Sequence, residues 1–157
     1  MSTITPFKIN KEKFTIEYEH TFDAPAQKVW DVCSDPKLVP QWWGPHRLKT
    51  VVDKFDFRVG GAWRYIQTDE DGNSFAFNGV YKEIDEPRLI TNTFEFEPMP
   101  GHILTETSTF EEVDGKTTMF VTVQYDSLED LEGMVATGME KGSRESHERL
   151  EALVSSF

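Results

Sequence analysis

The stretch that decides the fold is FDAPAQKVWDVCSDPKLVPQWWGP, Phe22 to Pro45. An extended segment arrives at Phe22 and ends at Asp23-Ala24-Pro25. Pro25 suits a first helical turn, with Asp23 or Ala24 at the cap. Val29, Val32 and Cys33 then form a short apolar stripe. Ser34-Asp35-Pro36 stops that helix and starts a second one at Pro36, with Asp35 as its N-cap. An adjacent tryptophan pair, Trp42 and Trp43, follows and is closed by Gly44-Pro45. Two very short helices between strands, then an all-strand middle and one C-terminal helix, predict an architecture built around a cavity. Binding of a small apolar molecule is the function this favours.

Upstream, Phe14, Ile16, Tyr18, His20 and Phe22 alternate with Thr15, Glu17, Glu19 and Thr21, the period of a half-buried strand. Residues 1–13 form a polar, partly ordered lead-in. Downstream, the segments LKTVVDKFDF, AWRYIQTD, FAFNGVYKEI, RLITNTFEFE, ILTETSTFEEV and KTTMFVTVQYD read as strands. The turn signals between them include Gly60-Gly61, Asp71-Gly72, Glu86-Pro87 and Asp114-Gly115. Seven strands with short connections predict an antiparallel meander rather than βαβ units.

Ser127 to Phe157 carries the one long helical pattern, with Ser127 as N-cap and Asp130 in the first turn. Leu128, Leu131, Val135, Met139, Gly142, Ser146, Leu150, Leu153 and Phe157 fall three or four apart on one stripe. Gly133, Gly138 and Gly142 interrupt it. Either they allow close helix–sheet packing, or their missing side chains leave space beneath the helix. Nothing signals a second domain, so residues 1–157 are expected to form one.

The formal net charge of −12 argues against nucleic acid, which requires Lys and Arg on phosphates. It also disfavours anionic membrane surfaces. A single cysteine, Cys33, allows no intrachain disulfide. The N-terminal residues contain no apolar signal core, so a cytoplasmic location is expected, with no membrane insertion.

Catalytic signatures are scarce, and catalysis is not the leading expectation. His20, His46, His102 and His147 show no metal-ligand spacing, and no metal or cofactor is expected. Asp69–Asn73 lacks the order of a calcium loop, and Gly60-Gly61 lacks a following Lys and helix. Aromatics, by contrast, reach 13% of the chain. Strand alternation would gather Trp63, Tyr65, Phe75, Phe77, Tyr81, Phe94 and Phe96 on one face with Met119, Val121 and Val123. That face is either ordinary core or the wall of a pocket with a few orienting polar groups. Gln67, Asn92, Glu106 and His147 are the candidates for those groups. Glu106 shares the face of Leu104 and Phe110; buried there, its carboxyl would have a raised pKa and could act as acid or base.

The motifs DAPAQKVWDV, WWGP, GGAWRY, DGNSFAFNGVYKEIDEPRLI, TFEFEPMPGH, TFEEVDGKT and GMEKGSRESHERLEAL, in this order, resemble the START-like (SRPBCC) superfamily. Its helix-grip fold is that of the birch-pollen-allergen, Bet v1-like class. Within it the chain is similar to the small bacterial proteins related to the activator of the heat shock protein 90 ATPase. The resemblance covers Phe14 to Phe157. It implies an α+β fold: a curved seven-stranded antiparallel sheet, two short helices after the first strand and one long C-terminal helix. A hydrophobic cavity would lie between sheet and helix. The implied wall comprises Trp42 and Trp43 near the mouth, Trp63, Tyr65, Phe77, Tyr81 and Phe94 on the sheet, and Met134, Gly138, Met139 and Gly142 at the helix. Ser143 stands where many relatives carry a bulky apolar residue, which implies a larger or more polar cavity within reach of His147. The resemblance implies a hydrophobic small-molecule ligand. Two alternatives stay open: a co-chaperone acting on a heat-shock ATPase, and a cyclase/dehydratase-type enzyme using Glu106 or His147. A homodimer also stays open.

Overall fold

The computed structural model describes residues 3–157. All seven expected strands are present: β3 (Thr15–Phe22), β4 (Lys49–Phe55), β5 (Ala62–Thr68), β6 (Ser74–Asp85), β7 (Leu89–Phe96), β8 (Ile103–Val113) and β9 (Lys116–Gln124). The count of seven is too low. The lead-in contributes β1 (Thr3–Ile4) and β2 (Lys8–Asn10), and both pair antiparallel with the outer edge of β3. The sheet therefore has nine strands, in the order β1-β3-β9-β8-β7-β6-β5-β4 with β2 beside β3. A polar segment such as KIN carries no alternation signal; it pairs because β3 offers it an unoccupied edge.

From β4 to β9 each strand pairs with its successor, as the short turns require. The exception decides the shape. β3 and β4 are consecutive along the chain but lie far apart in the sheet, so the connection must cross its concave side. Phe22–Pro45 makes that crossing through α1 (Ala26–Cys33) and α2 (Val39–Trp42). Helix α1 is capped from a distance, because the Ala26 N–H donates to Glu112 Oε1 on β8 at 2.8 Å. Helix α2 does not begin at Pro36 as expected. Asp35 instead organises a turn, accepting from the Lys37 and Leu38 N–H groups, and the helix starts at Val39.

The C-terminal pattern is not one helix but two, α3 (Leu128–Ala136) and α4 (Met139–Ser155). Ser127 caps α3 as expected, its Oγ accepting from the Asp130 N–H at 3.1 Å. The break falls at Gly138, which has φ +77°. That left-handed conformation suits glycine and ends a helix. The stripe of apolar residues runs on through the break, so its period did not reveal it.

Helix α4 lies across the concave face. Val29, Trp30, Ile16, Phe22, Val121, Leu131, Leu150 and Val154 close one part of the interior into a tight apolar core. The other part, around β5 to β7, is a set of aromatic rings with Val39, Trp63, Tyr65 and Tyr81 buried at its centre.

Candidate functional site

Cross-strand register fixes what faces α4. Ile16 pairs with Val123, Val123 with Glu106, Glu106 with Asn92, and Asn92 with Tyr81. Tyr65 pairs with Phe77 and Phe77 with Phe96. The expected single aromatic face therefore exists, with Glu106 in it. Tyr18, Asn92, Phe94, Glu106, Met134, Met139 and Ser143 belong to this interior yet keep part of their surface accessible. Met119 and Val121 are more fully covered and belong to the core floor.

Glu106 is the exceptional member. It lies deep in the protein, and among the described residues nothing donates a hydrogen bond to its carboxyl. Burial alone pushes it up from 4.5 to about 7. Its charge is close enough to bear on Tyr18, Tyr65 and Tyr125, and helps burial raise all three phenols well above their ordinary range. A second unpaired polar atom, Trp42 Nε1, is buried between the two parts of the interior; Trp63 Nε1 is a third. Unpaired buried donors cost about 1–3 kcal/mol each.

Trp43 is half-buried. Its ring is drawn onto the aromatic face, 5.0 Å from Tyr65 and 5.1 Å from Phe77. The backbone of this segment is clamped on both sides. On the helix side, Ser146 Oγ donates to the Trp42 carbonyl at 2.9 Å and accepts from the Gly44 N–H, while Arg149 donates to the Gly44 carbonyl at 2.8 Å. On the sheet side, Thr50 Oγ1 donates to the Trp43 carbonyl at 2.9 Å. Gln67 donates to Thr50 from beneath Gly44. Gln67 is thus part of the clamp. Asn92 donates to its neighbour's carbonyl, Thr93 O, at 3.0 Å.

At the helix wall the glycines separate. Gly133 and Gly138 are exposed, and Gly142 is half-buried between Met139 and Ser146 on the helix surface. A Cβ at any of the three would meet nothing within 4 Å, which rules out close packing as their purpose. Only Gly142 adjoins the interior. Beside it, Ser143 Oγ lies 3.4 Å from the Tyr18 hydroxyl. Met139 Sδ accepts from the Tyr125 hydroxyl at 3.5 Å.

His147 faces inward as expected, but it is not alone. Its Nε2 lies 3.0 Å from the Tyr18 hydroxyl, and its Nδ1 lies 2.9 Å from Nδ1 of His20. His20 Nε2 lies 3.0 Å from Glu151 Oε1. Histidines 127 residues apart in sequence thus meet in the interior. Burial holds His147 down at about 3, helped by the neighbouring His20; burial also lowers His20, opposed by Glu151.

A hollow of about 570 Å³ is lined by Lys8 to Glu12 and Glu17, a largely polar lining that does not suit an apolar ligand.

The family model for Activator of Hsp90 ATPase homolog 1-like protein matches residues 23–155. The chain belongs to that family. A Mycobacterium smegmatis protein of solved structure is 27% identical over 96% of each chain, with a TM-score of 0.87. An Arthrobacter aurescens protein is 25% identical over 99% of this chain and 94% of its own, with a TM-score of 0.91. A Plasmodium falciparum protein described as an HSP90 activator shares the fold more distantly, at 18% identity over 71% of this chain and 73% of its own, with a TM-score of 0.55. No curated protein sequence matches the chain. These likenesses bear out the START-like α+β fold. Among the described residues no helix is long and apolar enough to cross a membrane.

Cys33 is half-buried in this family member, and burial pushes its thiol up to about 12, far from a reactive thiolate. Sequence spacing missed His20, Tyr18 and Glu151 as site residues. The available signal was a histidine and a tyrosine on the inward face of β3, opposite positions four apart on a helix.

Proposed function

We propose that this protein binds a small, largely apolar and aromatic molecule between its sheet and α4. The observation that carries the proposal is Glu106: an inward carboxyl with no partner, set in a face otherwise made of rings. A fully packed core rarely tolerates such a group, whereas binding chambers combine apolar walls with a few unpaired polar groups. Tyr65, Phe77, Phe94 and Trp43 would contact the ligand's rings. Trp42 Nε1 would donate to a ligand oxygen, and Met139, Gly142 and Ser143 would form the helix side.

Native mass spectrometry of protein purified from its own host tests this. A co-purifying small molecule, released on denaturation, is expected. Protein that is empty and also takes up no neutral aromatic probe would overturn it.

Family membership favours a second reading, modulation of a heat-shock ATPase. Acceleration of the host chaperone's ATPase at micromolar protein would establish it. The ligand-binding reading expects no such acceleration in the absence of ligand.

A further inference from the structure

Helix α4 meets β3 through five polar side chains. Ser143, His147 and Glu151 are four apart on one helix face, and Tyr18 and His20 are two apart on one strand face. They interdigitate in the order Ser143–Tyr18–His147–His20–Glu151, with separations of 3.4, 3.0, 2.9 and 3.0 Å. The Glu151 side chain is 37% exposed, and that of His20 is wholly buried. Ser143, at the other end, is half-buried beside Gly142.

These contacts admit two placements of the hydrogens. In the first, both imidazoles are neutral. A Glu151 carboxylate only accepts, so His20 donates from Nε2 and accepts at Nδ1. His147 then donates from Nδ1 and accepts at Nε2. Tyr18 donates to His147, and Ser143 donates to Tyr18. In the second, one more proton has come from solvent and His20 carries it. His20 now donates from both nitrogens, to Glu151 and to Nδ1 of His147. His147 stays neutral with its hydrogen on Nε2, and donates to the Tyr18 oxygen. The Tyr18 hydrogen is thereby turned away from His147, onto Ser143 Oγ or another acceptor within reach. The added proton belongs on His20 because the outer neighbour of His20 is a carboxylate, whereas that of His147 is a phenol. A second proton has no place, since two Nδ1–H groups would then face each other at 2.9 Å.

We propose that this ladder is a one-proton switch, in which proton uptake by His20 reverses every link from His20 to Ser143 and makes the Tyr18 hydroxyl a donor toward the interior. Loss of the proton restores the first placement, so the switch is reversible and consumes nothing. Its regulatory use rests on the ligand-binding reading above: a ligand acceptor beside Tyr18 is held more tightly when His20 is charged. His20 lies opposite Met119 on β9 and Ile4 on β1, with the Phe22 ring 3.8 Å away. Tyr18 lies opposite Val121 and stacks on Phe7 at 4.9 Å. Among the described residues, the titratable groups that bear on the ladder from other elements are Glu106 on β8 and Tyr125 after β9, both acting on Tyr18. Burial lowers His20, opposed by Glu151, which sets the switching step below 6.5. His147 is held down at about 3 and stays neutral through that step.

Nitrogen-15 spectra of histidine-labelled protein, recorded from about pH 8 to about pH 4.5, read the switch without any ligand. Above the step, neutral His20 with Nε2–H and neutral His147 with Nδ1–H are expected. Below it, a His20 imidazolium and a still neutral His147 with Nε2–H are expected, both changes sharing one midpoint. A His147 that keeps its tautomer while His20 titrates overturns the switch. So does a His147 that charges first or together with His20, a His20 neutral throughout, or a fold lost before His20 titrates. Glu151→Gln keeps an acceptor for His20 but removes the charge, and should lower the midpoint by about one pH unit or more; an unmoved midpoint overturns the role of Glu151. Regulation is read from tryptophan emission on titration with 2-tetralone, whose carbonyl only accepts. Binding about 10-fold tighter below the step than above it is expected, with that difference lost in Tyr18→Phe. Equal binding on both sides, or a difference that persists in Tyr18→Phe, overturns the regulation and leaves the ligand-binding reading standing. Absence of binding on either side overturns that reading and the regulation together, while the imidazole spectra judge the switch itself.

Discussion

Replacing Glu106 by Gln should stabilise the protein at high pH and not at low pH. The native carboxyl holds its proton up to about 7, whereas the unfolded chain releases it near 4.5. Below the lower value both states are protonated, and pH has no effect through this group. Between the two values the unfolded chain ionises while the native protein cannot, so stability falls as pH rises. Above about 7 the full difference has accrued, about 3 kcal/mol at about 1.4 kcal/mol per pH unit. Gln keeps the size and cannot ionise. Its own burial costs the same at every pH, so the change with pH isolates the carboxyl. Urea unfolding followed by tryptophan emission, from about pH 4 to about pH 8.5, should show the variant gaining about 3 kcal/mol on the wild type. In thermal unfolding the same gain is about 6–12 °C for a chain of this size. A difference that stays constant across this range would refute the reasoning, because it would mean that Glu106 is solvated or paired.

His147 should act with the opposite sign. Its imidazole protonates near 6.5 when unfolded and only at about 3 when native, so stability is lost as pH falls between those values. Between 4.5 and 6.5 His147, together with the similarly lowered His20, opposes Glu106, and His147→Gln should shift the slope there toward a decline with rising pH, read by the same urea series. Gly44→Ala should cost about 1–3 kcal/mol, because φ is +90° and the new Cβ would lie 2.0 Å from Gln67 Nε2; a red-shifted tryptophan emission would show the Trp42–Trp43 clamp loosening. Glu112→Ala should cost about 1 kcal/mol by removing the acceptor at the start of α1, measured by urea unfolding with Ala26 amide exchange as the local readout.

Alternation and turn chemistry made the seven long strands, the two short helices and the inward direction of Glu106 legible, because a residue two positions from Leu104 on a strand must share its face. The Asp114-Gly115 turn was legible for the same kind of reason: both residues take positive φ, which that pair accommodates. Other features depend on contacts that no local pattern encodes. The lead-in strands exist because β3 has an edge to offer. The start of α2 moved to Val39 because Asp35 served a turn rather than a cap. The break at Gly138 was hidden by an apolar stripe that continues across it. The meeting of His20 with His147 was invisible for a further reason. Spacing rules find ligands within one element, whereas this pair joins a strand near the start of the chain to a helix at its end. The place of Trp42 and Trp43 near a mouth is what the family resemblance implies, and their clamping by Ser146, Arg149 and Thr50 depends on α4, far along the chain.

The most direct test of the chamber uses the methionine methyl groups as reporters. Met134 and Met139 lie at the helix wall and Met119 on the floor, whereas Met99 is 56% exposed on a turn outside. Carbon-13 methyl spectra of methionine-labelled protein are recorded while neutral 2-tetralone is added. Saturable shifts at Met139, Met134 and Met119, with Met99 unmoved, are the predicted result. Unchanged inner methyls, or shifts confined to Met99, would contradict an open chamber between the sheet and α4.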